Sequence, residues 1–292
     1  MQMLMQTIVT GLAVGGIYAL MAVGYSLIFS ILNFSNFAYG GIIMLGSYMG
    51  FYALTLLHVP FAAALALSML GAAALSFLNE RIAYSSLRKR HAPSLYFMIS
   101  AMGTSIFLEN MVYATLGSSY NAYPEIFGQS SISLFGSTIG KLDLFAIIFS
   151  LIAIYIMNYF IQHTRTGIAI RAASYDSEVS QINGVNLSAV IGLVFILAGL
   201  LAGVSGVFLG MKYMAYPTMG WITNKAYISA VIGGLGSLPG AVVGGLILGV
   251  LESLVSVYVS SLLRDVFSFT FLIVLLLVMP SGLFGKYLEE KV

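Results

Sequence analysis

The sequence predicts an all-α polytopic membrane protein with about eight to nine membrane segments, at least one of them broken by glycine and proline. Three observations carry that prediction. Of 292 residues, 60% are apolar and only 8% are charged, against about 25% charged in an ordinary soluble domain. Apolar stretches recur near residues 7–32, 37–57, 59–79, 94–116, 142–161, 188–211, 226–258 and 266–280, and a helix crossing the hydrocarbon core needs roughly 20 such residues. The period-2 alternation of barrel strands is absent from them, so the backbone must be satisfied within helices. A soluble enzyme, a nucleic-acid binder and a disordered chain are excluded. The net charge of +2, from 12 basic and 10 acidic residues, points to no anionic partner. With no cysteine there is no disulfide, thiolate metal site or cysteine nucleophile.

The elements follow in order. The N-terminus, Met1 to Gln6, has no basic region, so the first span reads as a retained helix rather than a cleaved signal. Residues 80–93 hold Arg81, Arg88, Lys89 and Arg90, the densest basic cluster, which reads as a cytoplasmic loop and puts the N-terminus outside. The loop at 162–187, with Arg165 and Arg171, is then also inside. The stretch 226–258 is too long for one simple crossing and is interrupted by Gly233, Gly234, Gly236, Pro239 and Gly240. If it enters and returns, the tail with Lys286 and Lys291 is cytoplasmic, and only Lys141, Lys212, Lys225 and Arg264 of the basic residues lie outside. A single crossing fits the positive-inside rule less well.

Glycines at spacing four recur within spans: Gly11/Gly15, Gly46/Gly50, Gly199/Gly203, Gly206/Gly210, Gly240/Gly244 and Gly245/Gly249. Such pairs let helices approach closely in lipid, either within this chain or against a second membrane subunit.

Transport needs an energy source. Ion-coupled carriers keep ionisable residues within the membrane, and here only Glu109 and Glu252 lie well inside apolar stretches. Each reads either as a structurally paired carboxylate or as a gating group. A phosphate-binding loop requires Gly-Lys followed by Ser or Thr, whereas Gly140-Lys141 and Gly285-Lys286 precede Leu142 and Tyr287. His58, His91 and His163 lie at loop edges without ligand spacing. No catalytic or metal-ligating set is read.

The polar loop is more informative. Asp176 is placed to cap a short helix over 177–183 that Gly184 ends with positive φ, and 167–173 reads as another helix from which Arg171 projects. Helices this short are marginal alone, so the loop reads either as solvated or as a docking element. The interruption at 233–240 is a second candidate site, since broken helices expose backbone groups only where they line a cavity or are buried. Asn36-Phe-Ala-Tyr39 is loosely echoed by Asn224-Lys-Ala-Tyr227.

These features resemble the bacterial ABC-importer permeases for branched-chain amino acids. The coupling motif of that family is matched by Arg165, Gly167, Ala169, Arg171, Ala172, Asp176, Gly184, Val185 and Asn186. Further matches are Gly233-Gly-Leu-Gly-Ser-Leu-Pro-Gly-Ala241 with Glu252, Asn33-Phe-Ser-Asn-Phe-Ala-Tyr-Gly-Gly41, and Val278-Met-Pro-Ser-Gly-Leu-Phe-Gly285. Length and order resemble the shorter of the two permease subunits of such a system. Gln181 and Asn183 depart from the small or apolar residues usual before the Gly-Val-Asn turn.

The resemblance implies a single permease domain over residues 1–292, in the bacterial inner membrane and surrounded by lipid. It would work with a second homologous permease, two cytoplasmic ATPases and an extracytoplasmic substrate-binding protein. This chain would bind no cofactor, and ATP with Mg would be used by the ATPase. The resemblance assigns ATPase coupling to Arg165, Gly167, Arg171, Asp176 and Gly184. Asn36, Tyr39, Gly234, Gly236, Pro239 and Glu252 are translocation-path candidates. The rival readings are a self-sufficient ion-coupled transporter or channel for a small polar solute, such as urea or an amide, and a membrane scaffold.

Overall fold

A computed structural model describes residues 2–126, 128, 131–134 and 137–285. The expected cytoplasmic tail with Lys286 and Lys291 lies outside the described residues. The helices are α1 (Gln2–Leu32), α2 (Ala38–Thr55), α3 (Phe61–Asn79), α4 (Ser85–Lys89), α5 (Ser94–Leu116), α6 (Lys141–His163), α7 (Arg165–Tyr175) and α8 (Ser177–Ile182). They continue with α9 (Leu187–Tyr213), α10 (Thr223–Gly233), α11 (Leu238–Tyr258) and α12 (Arg264–Val278). A short antiparallel hairpin, β1 (Ser131–Leu134) with β2 (Ser137–Gly140), precedes α6 and was not foreseen from the sequence. Among the described residues, seven helical segments are long and apolar enough to cross a membrane. The protein is an all-α polytopic membrane protein.

Three stretches take a more definite form in the structure. The stretch 37–57 forms α2, but at 18 residues with four glycines it is less apolar than those seven segments, and most of it is buried. Residues 80–93 are not a simple loop: a π-helical turn, Glu80–Tyr84, joins α3 to α4, so the helical path runs to Lys89. Charge alone makes this segment read as loop, yet Glu80 is wholly buried and Arg88 donates to it at 2.7 Å, which offsets part of the cost of burying the carboxylate. Third, 226–258 is two helices, α10 and α11, meeting at residues 234–237. Of the alternatives for that stretch, the structure thus takes the broken one.

The chain divides into two compact units: Met1–Ser26, Phe127–Ile154 and Asn224–Val292 form the first, and Leu27–Ile126 with Tyr155–Thr223 the second. In the second unit, α2, α3 and α9 pack through small residues. The Ser68 hydroxyl donates to the Gly46 carbonyl at 2.7 Å. A Cβ at Gly203 would lie 2.6 Å from the Ser68 carbonyl, and one at Gly199 2.6 Å from Ala73 Cα. In the first unit, Gly11, Gly15, Gly245 and Gly249 bring α1 and α11 together: a Cβ at Gly245 would lie 2.5 Å from the Ala19 nitrogen, and one at Gly11 2.8 Å from Val250 Cα. Gly240 and Gly244 meet Gly233 and Ser229 of α10. Every spaced-four glycine pair singled out in the sequence faces a neighbour in this chain. Intramolecular packing accounts for them.

Beyond the spans, the segment after α5 is tied down by paired backbone bonds between Asn121 and Ala215 and by Tyr123, which donates to the Ser47 carbonyl. Burial pushes the Tyr123 hydroxyl well above the ordinary phenol range.

Candidate functional site

The polar hairpin after α6 is a fully capped piece of backbone. Thr164 starts α7, its Oγ1 accepting the Gly167 N–H at 3.0 Å. Gly167 is buried against the last turn of α6, where a Cβ would collide with the Phe160 and Ile161 carbonyls, so only glycine lets the chain turn so tightly. Arg171 projects as expected but folds back, donating to the Gln162 side chain at 3.1 Å and the Gln162 carbonyl at 3.3 Å, a cation closing the end of α6. Asp176 caps α8 by accepting from Glu178 and Val179, both at 3.0 Å.

Gly184, at φ +84°, ends α8: its N–H reaches the Gln181 carbonyl while the Val185 N–H reaches that of Ser180, the paired bonds of a Schellman stop. Asn186 caps α9 at the Ala189 N–H, 3.1 Å away. The two unusual residues are absorbed locally, Gln181 donating to the Ser177 carbonyl and Asn183 to that of Val179. The Ser174 hydroxyl ties the hairpin to the Ser30 carbonyl near the end of α1, at 2.6 Å.

With caps and glycine turned inward, apolar side chains remain outside. Tyr175 is 90% and Ile182 85% exposed, and Ile168 and Val179 are also exposed. Arg165, Arg171 and Asp176 border them. The sequence reading passed over these four, although Ile168 and Tyr175 are seven apart on α7 and Val179 and Ile182 three apart on α8, each a helical spacing within a polar segment. Exposed apolar side chains on an ordered polar hairpin make a candidate docking face.

At the second candidate site, Gly234 (φ +102°) and Gly236 (φ +83°) make the turn that reverses the chain from α10 into α11. Ser237 caps α11, and Pro239 sits in its first turn, where its missing N–H costs nothing. Of the two alternatives for the freed backbone groups, lining a cavity or being buried in protein, the bonds show the second. The carbonyls of Ile232 and Gly233 accept from Leu283 and Phe284 at 2.9 Å each, and Ser26 accepts from the Gly236 N–H at 3.0 Å. The motif Pro280-Ser-Gly-Leu-Phe-Gly285 thus seals the break.

Glu252 lies 13 residues along α11 from Pro239, about 20 Å, so it does not bond the broken helix end. It anchors an ion cluster instead. Lys225 Nζ sits 2.6 Å from Glu252 Oε1 and 2.6 Å from Asp265 Oδ1. Arg264 Nε is 3.6 Å from Glu252 Oε2, and the hydroxyls of Tyr18 and Ser268 donate to the carboxylate at 2.9 and 2.8 Å. Both Lys225 and Glu252 are buried. The sequence leaves Glu252 as either a paired carboxylate or a gating group; its partners come from α1, α10 and α12.

Asn36 and Tyr39 are in the second unit. Tyr39 donates to the Ala198 carbonyl at 3.2 Å. Asn36 Oδ1 accepts from the Ala38 N–H at 3.2 Å and from the Tyr84 hydroxyl at 2.8 Å, while its buried amide nitrogen has no partner.

Glycine-packed spans, one broken hairpin and a capped polar hairpin with an exposed apolar face define a helical membrane protein with two irregular polar elements. Comparison with known proteins narrows the class. The family described as "Branched-chain amino acid transport system / permease component" matches residues 7–279. The chain is 38% identical to the high-affinity branched-chain amino acid transport system permease protein LivH of Salmonella typhimurium, over 99% of this chain and 97% of that protein. It is 37% identical to the corresponding protein BraD of Pseudomonas aeruginosa, over 99% and 98%. A shorter match, 32% identity over 32% of each chain, is to the ribose import permease protein RbsC of Escherichia coli. The chain belongs to the branched-chain amino acid permease family.

Proposed function

We propose that this chain is one transmembrane subunit of an ATP-driven importer that carries branched-chain amino acids into the bacterial cytoplasm across the inner membrane. The observation that carries the proposal is the exposed row Ile168, Tyr175, Val179 and Ile182, held on α7 and α8 by inward-facing caps. A partner that closes on ATP, binding the nucleotide and Mg itself, pushes on this face. Gly167, Arg171, Asp176 and Gly184 keep it rigid, and Arg165 stands beside it. A second homologous permease and an external binding protein complete the assembly, with the hairpin cytoplasmic and the N-terminus outside. Names of full-length relatives support the substrate class. The Lys225–Glu252 pair argues against an ion-coupled carrier, because a carboxylate already matched by a lysine makes a poor ion relay.

The test is purification of the tagged chain from its native membrane with the gene products that accompany it, followed by leucine uptake in proteoliposomes. ATP-dependent uptake that Ile182→Glu with Tyr175→Glu abolishes, with loss of the P-loop ATPase from the purified complex, is the expected result. Gradient-driven uptake by the chain alone overturns it.

A further inference from the structure

Two separate contacts lead from the polar hairpin to the elbow between α1 and α2. One is direct: Ser174 of α7 holds the Ser30 carbonyl, three residues before Asn33, which itself takes a positive φ of 49° to break α1. The other runs through the π-helical turn. Ser188, in the first turn of α9 and only two residues beyond the cap that closes the hairpin, accepts from Arg81 at 3.2 Å and from Arg88 at 3.3 Å. Both arginines hold Glu80, Arg88 at 2.7 Å and Arg81 at 3.5 Å. Glu80 opens the π turn and Tyr84 closes it. The Tyr84 hydroxyl accepts from Asn79 at 3.3 Å and donates to Asn36 Oδ1 at 2.8 Å.

The orientation of Asn36 is fixed chemically. Its oxygen must face the Ala38 N–H, a donor, so its NH2 group is the atom left buried without a partner. A buried donor without an acceptor is costly. It is a donor that would gain a bond if the elbow rearranged. The π turn supplies the second state. It carries a surplus residue relative to an α-helical turn, and such turns concentrate at functional positions. Relaxing it to α geometry shifts the register of Tyr84 against Glu80.

We propose that the α1–α2 elbow at residues 33–37 is the part of this unit that the hairpin drives, and that Glu80, Arg88 and Tyr84 are the positioning residues that transmit the movement. This inference rests on the coupling role proposed above for α7 and α8. Movement of the α9 N-terminus pulls on Ser188, the two arginines carry it to Glu80, and the π turn converts it into displacement of the Tyr84 hydroxyl and Asn36. The aromatic surroundings of Tyr84, with Phe34 at 5.2 Å, Phe195 at 5.6 Å and Phe97 at 6.2 Å, give the ring a packed guide independent of its hydroxyl.

The experiment uses the complete transporter in proteoliposomes and reads leucine uptake and ATP hydrolysis together. Tyr84→Phe keeps the ring and removes the hydroxyl, and with it the bonds to Asn36 and Asn79; Glu80→Gln keeps the shape and removes the charge. Each is expected to raise the ATP hydrolysed per leucine carried by about fivefold, the weight of one buried hydrogen bond, while thermal stability holds. Ser174→Ala combined with Tyr84→Phe, which cuts both links, raises it further. An unchanged ratio in Tyr84→Phe and Glu80→Gln overturns the inference. So does a parallel fall of uptake, hydrolysis and melting temperature, which signals packing alone. A wild-type complex that carries leucine without consuming ATP fails the coupling reading itself, a result distinct from either.

Discussion

A carboxylate in an apolar helix persists only when its charge is answered, and Glu252 is answered by Lys225, Arg264, Tyr18 and Ser268. Removing one member of a buried pair strands the other, at a cost of about 3–5 kcal/mol, whereas removing both spares that cost. Lys225→Met is therefore expected to lower the melting temperature of the detergent-purified chain more than Lys225→Met with Glu252→Gln, a reversal of additivity that thermal unfolding reads directly. Glycines divide in the same manner. At Gly199 a Cβ meets backbone, so Gly199→Ala destabilises by about 1–3 kcal/mol. At Gly103, inside α5, a Cβ meets nothing within 4 Å, so Gly103→Ala stabilises by about 0.5–1 kcal/mol. Matched melting curves of the two variants check the contrast. Glu252 was visible in the sequence as a buried carboxylate, but its partners were not, because Tyr18 lies 234 residues away and no local pattern encodes that pairing.

The elements differ in how openly the sequence announces them, and the reason is range. The caps of α8 were legible because Asp176 and Gly184 bond residues two to four positions away. The seal on the α10–α11 break was not, because it comes from the strand of chain after α12, about fifty residues downstream of the glycines it covers. The continuation of α3 through the π turn was hidden for another reason: its basic cluster carries the signature of a loop, and only the fold shows that Arg88 and Arg81 neutralise Glu80. Six residues of helix cannot stand alone, so α8 depends on its cap. Asp176→Ala should speed amide exchange over 177–182 by about fivefold, the kinetic equivalent of losing roughly 1 kcal/mol of capping. Asp176→Asn, which still accepts both bonds, should exchange at close to the native rate.

At the scale of the molecule, the side on which the turn before α12 emerges depends on crossing parity at the reversal of residues 234–237. An α10 of 11 residues is about 16 Å long, half the hydrocarbon thickness, and the segment Pro217–Ile222 leads into it. If α10 enters and α11 returns, the turn before α12 emerges on the side the chain entered from, whereas a single crossing puts it on the opposite side. Positive residues favour the first arrangement. A chain without cysteine lets single cysteines report position without background. Three strongly exposed sites outside the apolar helix interiors serve: Tyr120 at 69%, Tyr175 at 90% and Leu262 at 89%. With a membrane-impermeant thiol reagent on the outer face, Tyr120→Cys and Leu262→Cys should label, and Tyr175→Cys should label only after the membrane is opened. Labelling of Leu262→Cys only after opening would make 223–258 a single crossing. Labelling of Tyr175→Cys from outside would place the apolar docking face away from the cytoplasm, where no ATPase can reach it, and the coupling reading would fall with it.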